Sequence, residues 1–293
     1  MFGRFVKHKV ISKGSMLGRP TWVRAAFAAS LVAFATAPGA ARAADPHELR
    51  LSPPLDGAVV VGGGALWITS ELLKDSLAPP ACRWCEVPWF DVSIRESLRH
   101  QDGHAADVAS NLVAFIVMPL ATFGTTALAA DVERRSANVP KDALVILEAV
   151  IVAADLNQLT KFVAARERPF VHALKDDEKS KTGQPSDNNL SFFSGHTTLG
   201  FALATASGTV ASMRHYDGAP AIWGIGMSLA FLTGYLRIAA DKHHFTDVVS
   251  GALLGSAVGF LMPYVFHRPS ADAALATSTG AAPLSGASFS GTF

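Results

Sequence analysis

Long apolar runs separated by polar loops dominate the chain beyond residue 57. None of the runs alternates with period two, and no Asn-Gly hairpin signal separates them. Their lengths and their content of Ala, Leu, Gly and Val are typical of helices. The runs cover residues 58–73, 108–130, 143–163, 197–213, 219–236 and 245–266. The pattern predicts an all-α fold, an apolar multi-helix bundle embedded in a membrane.

The first 43 residues have the pattern of a secretory signal peptide. Six basic residues precede the apolar run 25–37, and the small residues Ala41 and Ala43 then form an A-x-A cleavage site. The run is too short to span a bilayer, which needs about 20 apolar residues. We expect cleavage near Ala43; an uncleaved anchor is the alternative. A start at Met16 would give a more compact signal.

Composition narrows the class of protein. Of the 293 residues, 49% are hydrophobic and only 17% are charged, with a mean hydropathy of +0.28. A soluble domain usually has about a quarter charged residues, so this chain is short of solvating side chains. A net charge of +1 gives no electrostatic basis for binding nucleic acid. Membrane, rather than nucleic acid, is the expected partner.

The chain divides into four expected regions after these observations. They are the signal peptide 1–43, an N-terminal segment 44–104 with a short helix and a cap loop, the bundle 105–266, and a flexible tail 267–293. The cap loop contains the two cysteines, Cys82 and Cys85. In an exported protein this pair favours a disulfide over free thiols or a redox or metal site. Two cysteines exclude a disulfide-framework fold and a four-cysteine metal site.

Charged side chains interrupt the third apolar segment. Glu148, Asp155 and Lys161 lie in an otherwise aliphatic segment. A charged side chain inside a bilayer is energetically unfavourable, so such residues usually have a function. The alternative is that this segment is an amphipathic helix of a soluble protein, with a solvent-exposed polar face. The segment leads to Arg168-Pro169, where the proline ends the helix. After a polar loop, Ser194 is a natural N-cap for the next helix, and the backbone N–H groups there form an anion site.

A third polar cluster follows the fifth segment. Arg237 is followed by five residues, then His243, His244 and finally Asp247. A helix beginning near His243 places His243 and Asp247 one turn apart on one face. A carboxylate there can hold one imidazole nitrogen while the other stays free as a base or nucleophile. His244 also reaches Asp247, at i+3, so the residues alone do not choose between the two histidines.

Together these elements resemble the type 2 phosphatidic acid phosphatase (PAP2) and vanadium haloperoxidase superfamily. Its three motifs are K-x6-R-P, P-S-G-H and S-R-x5-H-x3-D. They match Lys161 with Arg168-Pro169, then Ser194-Gly195-His196, then Arg237 with His243 and Asp247. Two positions depart from the pattern: Phe193 replaces the family proline and Leu236 replaces the family serine. The first puts the loop shape in doubt, and the second removes one hydrogen bond worth about 1 kcal/mol.

The resemblance implies a metal-independent phosphatase of the bacterial acid or lipid phosphatase branch, without a cofactor. His243 would attack phosphorus, Asp247 would hold its ring, and His196 would protonate the leaving oxygen. Lys161, Arg168, Ser194, Gly195 and Arg237 would bind the phosphate. Phosphate or vanadate could occupy such a site. Family spacing selects His243 as the nucleophile and leaves His244 at the pocket rim or an interface.

The apolar bundle favours a phosphorylated lipid as substrate. Alternatives are an exported, non-specific acid phosphatase acting on small phosphoesters, and a membrane lipid-binding protein without turnover. For the topology we expect five spans, with residues 58–73 not crossing, and an active site that faces the periplasm from the inner membrane. That arrangement places the basic residues between the spans on the inside, as the positive-inside rule prefers.

Overall fold

A computed structural model describes residues 47–269 of the chain. Its long helices are α1 over residues 53–72, α2 (Trp89–Leu98), α3 (Gly103–Val132), α4 (Val139–Ala164), α5 (Gly195–Met213), α6 (Ala219–Ala239) and α7 (Phe245–Phe266). Short helical turns lie at Lys74–Leu77, Ser136–Asn138, Pro169–His172, Asp176–Lys179 and Pro185–Asp187. Three long helices contain π-helical segments, at Ala58–Gly63 in α1, Val113–Val117 in α3 and Met262–Phe266 in α7. The prediction of an all-α bundle is confirmed.

Each apolar run of the sequence forms one of these helices. The largest difference is α1, which begins five residues before the predicted run and is longer than a short helix. The expected signal peptide lies outside the described residues. So does the expected tail, apart from residues 267–269.

Helix α5 is the centre of the bundle. It packs against α3, α4, α6 and α7, and most of its side chains are buried. Phe201 and Leu203 of α5 form the main apolar core with Met118 of α3 and Val145 of α4. Helices α5 and α7 approach closely at Gly255, where an added Cβ would lie 3.1 Å from the Ala202 nitrogen and closer still to the Thr198 carbonyl oxygen. Small residues allow this kind of backbone contact.

Four helices are long and apolar enough to cross a membrane, within the part of the chain that the structure describes. They are Gly103–Val132, Ser136–Ala164, Ala219–Ala239 and Phe245–Phe266. Large apolar side chains point outward on these helices, including Leu120, Phe231 and Leu253, each more than 60% exposed. An outward apolar surface suits contact with lipid, and the chain is a membrane protein by these features.

The expectation of five spans counted α5 as well. α5 is not among the four candidates, because threonine and serine residues lower its apolarity. Thr198, Thr205 and Ser207 donate hydrogen bonds to carbonyl oxygens one turn back. Since the surrounding helices shield α5, these hydroxyls do not face lipid.

Helix α1 lies alongside α4 and runs in the same direction. Near its start, Asp56 approaches Glu148 of α4; near its end, Glu71 accepts a hydrogen bond from Gln158 at 2.9 Å. Before α1, the Arg50 nitrogen donates to the carbonyl oxygen of His267, which directly follows α7. The sequence predicts that residues 58–73 do not cross the membrane, whereas in the structure this segment lies lengthwise along the bundle.

The three sequence motifs meet at one end of the bundle because of the direction of the helices. α4 and α6 end there, and α5 and α7 begin there. The chain therefore brings together the segment after Ala164, the turn before Gly195 and the connection 240–244 between α6 and α7. The ends of α3, α5 and α7 lie at the opposite end of the bundle.

Candidate active site

His243 precedes α7 and is almost fully buried, at 2% exposure. Its Nδ1 lies 2.8 Å from the backbone carbonyl oxygen of Ser191. A carbonyl oxygen only accepts, so Nδ1 carries the hydrogen and Nε2 of the neutral ring keeps a lone pair. The backbone N–H of His243 donates to the carbonyl of Arg237, which ties the histidine to the end of α6.

Asp247 does not make the hydrogen bond to His243 that the sequence suggested. Its Oδ2 lies 3.7 Å from His243 Nδ1, which is too long for a hydrogen bond. The same oxygen accepts from Ser191 Oγ at 2.5 Å and from the His244 backbone at 2.8 Å. Asp247 thus positions His243 indirectly, by fixing the Ser191 loop and the first turn of α7.

Arg166 binds the other oxygen of Asp247 and links it to the N-terminal segment. Its Nη1 donates to Asp247 Oδ1 at 2.5 Å, and its Nη2 donates to Asp91 Oδ2 at 2.7 Å. All three side chains are at most 1% exposed. A buried guanidinium between two carboxylates is stable only while each charge keeps its partner. This ion-pair network fixes α2 and α7 to the end of α4.

Ser194 and Gly195 form the turn into α5. Ser194 is buried and its Oγ accepts a hydrogen bond from Thr197, so it is the N-cap that the sequence predicted. Gly195 packs against Lys161 and Asn157, and an added Cβ would lie 3.0 Å from Lys161 Nζ. The lysine therefore lies directly beside the N-terminus of α5, where backbone N–H groups favour an anion.

His196 is half-buried at the second position of α5. Its Nε2 lies 2.6 Å from Asn111 Oδ1 of α3, an acceptor, so Nε2 carries the hydrogen in the neutral ring. Phe115 packs against the ring edge-on, with the centroids 4.7 Å apart. These two contacts from α3 set the orientation of the imidazole.

Arg168 and Arg237 are both buried cations with fixed guanidinium groups. Arg168 donates to the backbone oxygens of Asp187 and Lys242 at 2.7 and 3.1 Å. Arg237 donates to Asp107 and Ser110 of α3 at 2.6 and 2.7 Å. Because two of these acceptors are neutral carbonyls, the region keeps much of its positive charge, which suits an oxyanion better than a metal ion.

The charges of this region act on His243. Burial, together with the positive charges of Arg168, Arg237 and Lys161, holds the pKa of His243 well below its ordinary value of 6.5. Burial alone would raise the pKa of the Asp187 carboxyl, but the positive charges of Arg168, Lys74 and Lys161 lower it to about 2. Arg168, Arg237 and Lys161 thus lie close enough to His243 to keep its ring neutral.

His244 is not at a rim, as the sequence suggested, but 2% exposed. Its Nε2 lies 3.2 Å from the carbonyl oxygen of Glu167. Its backbone N–H donates to Asp247 as the N-cap of α7. The residue is thus part of the packing behind the site.

Cys82 and Cys85 are joined by a disulfide, with their Cα atoms 5.5 Å apart. The loop between them contacts the end of α4: the Arg83 nitrogen donates to Ala165, and the Glu167 nitrogen donates to Trp84. The Trp84 ring lies 4.1 Å from the Arg166 guanidinium carbon, in a cation–π contact. The loop therefore covers the buried ion pairs behind the site.

Sequence reasoning missed several residues that hold the site together: Asp91, Asp107, Asn111, Arg166, Asp187 and Ser191. Arg166 could have been found from the sequence, because it lies two residues before the motif residue Arg168, in the segment that follows the predicted helix. Asp187 and Ser191 lie in the loop before Ser194, whereas Asp91, Asp107 and Asn111 come from parts of the chain far from the motifs.

A scan against protein-family models matches residues 142–270 to the PAP2 superfamily. These residues belong to the PAP2 superfamily. The match covers all three motifs and helices α5, α6 and α7, with nearly all of α4. The resemblance drawn from the motifs is confirmed. No solved structure matches the chain significantly.

Curated PAP2 relatives are similar at low identity. Phospholipid phosphatase 2 of Rattus norvegicus is 28% identical over 130 residues, which are 38% of this chain and 47% of the relative. Undecaprenyl-diphosphatase of Sulfolobus acidocaldarius is 28% identical over 121 residues, which are 41% of this chain and 53% of the relative. The chain thus spans about half the length of the curated relatives it matches.

Proposed function

We propose that the protein is a phosphatase that hydrolyses a phosphomonoester or diphosphate of a membrane lipid through a phosphohistidine on His243. The observation that carries the proposal is the tautomer of His243. The Ser191 carbonyl fixes the hydrogen on Nδ1, and buried cations keep the ring neutral, so that Nε2 has the lone pair of a nucleophile.

In the first step, His243 Nε2 attacks phosphorus and a P–N bond forms while the bond to the leaving oxygen breaks. Burial and the nearby cations lower the pKa of His196, and the negative charge of the bound phosphate opposes this and favours the protonated ring. Protonated His196 donates a proton to the leaving oxygen, which departs as an alcohol or, from a diphosphate, as a phosphate monoester. The hydrogen on His243 Nδ1 stays bonded to Ser191, and the imidazolium charge balances the phosphoryl group.

In the second step, a water molecule attacks the phosphohistidine. His196, now neutral, takes a proton from the water, the P–N bond breaks and inorganic phosphate leaves. His243 regains its lone pair and His196 is again protonated. The two histidines thus complete the cycle without a net gain or loss of protons on the protein.

Lys161, Arg168, Arg237 and the backbone N–H groups at Ser194 and Gly195 supply the charge stabilisation. Phosphoryl transfer places negative charge on three equatorial oxygens, and fixed donors around them lower the barrier. The site needs no cofactor in this mechanism. Vanadate, which adopts the geometry of the transition state, is expected to inhibit by occupying the same donors.

The lipid substrate is inferred from the surroundings of the site. The helices that carry the motifs expose apolar side chains, which suits a substrate presented from a membrane. The names of the relatives, phospholipid phosphatase and undecaprenyl-diphosphatase, give the two substrate classes to test.

The test measures phosphate release by purified protein in detergent from phosphatidic acid, an isoprenoid diphosphate and p-nitrophenyl phosphate. Faster release from either lipid supports the proposal. Preference for p-nitrophenyl phosphate favours an exported, non-specific acid phosphatase. No release from any of the three, by protein that still binds lipid, leaves the non-catalytic alternative.

We further propose that the site faces the periplasm. Arg134, Arg135, Lys141, Arg214 and Arg268 lie at the opposite end of the bundle, where the positive-inside rule places the cytoplasm. Arg50 bonds to His267 at that same end and would therefore also lie in the cytoplasm. Cleavage near Ala43 would instead leave the new N-terminus, and Arg50 close behind it, in the periplasm. A periplasm-facing site and cleavage near Ala43 therefore exclude each other. An alkaline phosphatase fused after Lys179 is active if the site faces outward and inactive if it faces inward.

A further inference from the structure

A second cluster of titratable side chains lies at the other end of the bundle. Asp56 of α1, Glu148 of α4 and His267 after α7 are all buried, at 3%, 1% and 2% exposure. One potential ligand atom from each lies within 4.8 Å of the others. Glu148 precedes Lys161 by 13 positions, about 20 Å along α4, so the cluster is separate from the phosphatase site.

Hydrogen bonds fix the tautomer of His267. Its Nδ1 lies 2.9 Å from the carbonyl oxygen of Arg50, which only accepts, so Nδ1 carries the hydrogen. Nε2 of the neutral ring then directs its lone pair at Glu148 Oε2, 2.9 Å away. Two lone pairs at this distance repel unless a cation lies beside both. Metal-binding histidines are commonly held in this way, with the other nitrogen on a carbonyl.

Glu148 has a second oxygen that also lacks a partner. Within the described residues, Glu148 Oε1 is buried and accepts no hydrogen bond. Such a carboxylate oxygen in an apolar interior is strongly unfavourable. Asp56, whose Oδ2 accepts only the Ser52 backbone N–H among the hydrogen bonds of this region, adds a second negative charge.

A proton on His267 does not neutralise the two carboxylates of this cluster. Even with His267 protonated, the three side chains keep a net charge of −1 in a buried place. A divalent cation with a neutral histidine brings the total to zero. Two ligands of one such ion, each about 2.1 Å from it, lie about 3.0–3.4 Å apart, close to the separation of His267 Nε2 and Glu148 Oε2.

We propose that Asp56, Glu148 and His267 bind a structural divalent cation. One nitrogen and two carboxylates suit Zn²⁺ or Mn²⁺, with water completing the coordination. The ion would join α1, α4 and the end of α7. It would stabilise the bundle without contributing to phosphate release.

The test uses the purified, detergent-solubilised protein after treatment with EDTA and desalting. Zn²⁺ or Mn²⁺ is added, and bound metal per chain and the melting temperature are measured. We expect about one ion per chain and a rise in melting temperature of about 5 °C or more when the free metal is about 100 times Kd. Absence of both binding and the shift for both metals would overturn the proposal.

Variants separate this site from adventitious metal on other histidines. Glu148→Gln and His267→Ala should lose the ion and the shift, whereas Asp155→Asn, the same kind of change two turns further along α4, should keep both. Binding by Glu148→Gln equal to the wild type would contradict the proposal. Should these variants fail to fold, the same two measurements are made on Asp56→Asn, which should bind less metal, and on the EDTA-treated wild type, which should melt at a lower temperature than the metal-loaded protein.

Discussion

His243 Nδ1 bonds to the carbonyl oxygen of Ser191 at 2.8 Å, while Asp247 lies 3.7 Å away. The residue that orients the nucleophile is thus a backbone group of the loop before α5. Because Ser191 Oγ donates to Asp247, the carboxylate still controls the position of that loop. The arrangement joins the second and third sequence motifs through one residue that belongs to neither.

Replacing His243 tests the choice of nucleophile. His243→Ala should lower phosphate release at least about 1,000-fold, because it removes the atom that attacks phosphorus. His244→Ala should lower release by about tenfold or less, since the His244 side chain contacts Glu167 and acts on the site only through orientation. Quenching in alkaline SDS with a labelled substrate, conditions in which the P–N bond survives, should trap phosphate on His243. Trapping on His244 would show that the assignment is wrong by one residue.

The pH profile tests the charge around His243. His243 attacks only as the neutral ring, so activity falls as the pH drops through its pKa. Because burial and three cations lower that pKa, kcat/KM should hold below pH 6.5 before it declines. Arg168→Gln removes one cation, so the acid limb of its residual activity should move to higher pH. If the acid limb of this variant lay at the same pH as in the wild type or at a lower pH, the effect of Arg168 on the pKa of His243 would be refuted.

Arg166 tests the buried ion pairs. Arg166→Met leaves Asp91 and Asp247 buried without their cation and should destabilise the protein by about 3–5 kcal/mol. Thermal unfolding in detergent measures the change. Arg83→Ala is the matched control, because its exposed side chain donates to the neutral Val163 carbonyl oxygen, and its loss should shift stability far less. Equal effects of the two changes would argue against the ion-pair network.

Gly255 tests the contact between α5 and α7. Gly255→Val puts a side chain against the Thr198 and Ala202 backbone and should destabilise by about 1–3 kcal/mol or more. Gly124→Ala, on α3, meets nothing within 4 Å and should leave the melting temperature nearly unchanged. If both variants melted together with the wild type, the close approach of the two helices would be refuted.

The positions of the helices and the set of motif residues at one end of the bundle could be predicted from the sequence, because the length of an apolar run and the spacing within a motif are local properties of the chain. Hydrogen-bond partners could not be predicted in this way. Asp91 lies 75 positions before Arg166, and nothing in either segment indicates that the two are paired. Ser191 orients His243 through its carbonyl oxygen, a group that every residue has, so its residue type does not indicate this contact.

Arg50 and His267 bond to each other at the end of the bundle away from His243, so both lie on the same side of any membrane that the bundle spans. An impermeant reagent therefore labels a cysteine placed at Arg268 only in molecules whose substrate entrance faces the other compartment. In vesicles of mixed orientation, reagent added outside labels the molecules whose site faces the interior, so the unlabelled fraction gives the molecules that can reach a substrate added outside. Rates per active molecule can then be obtained without first achieving uniform insertion.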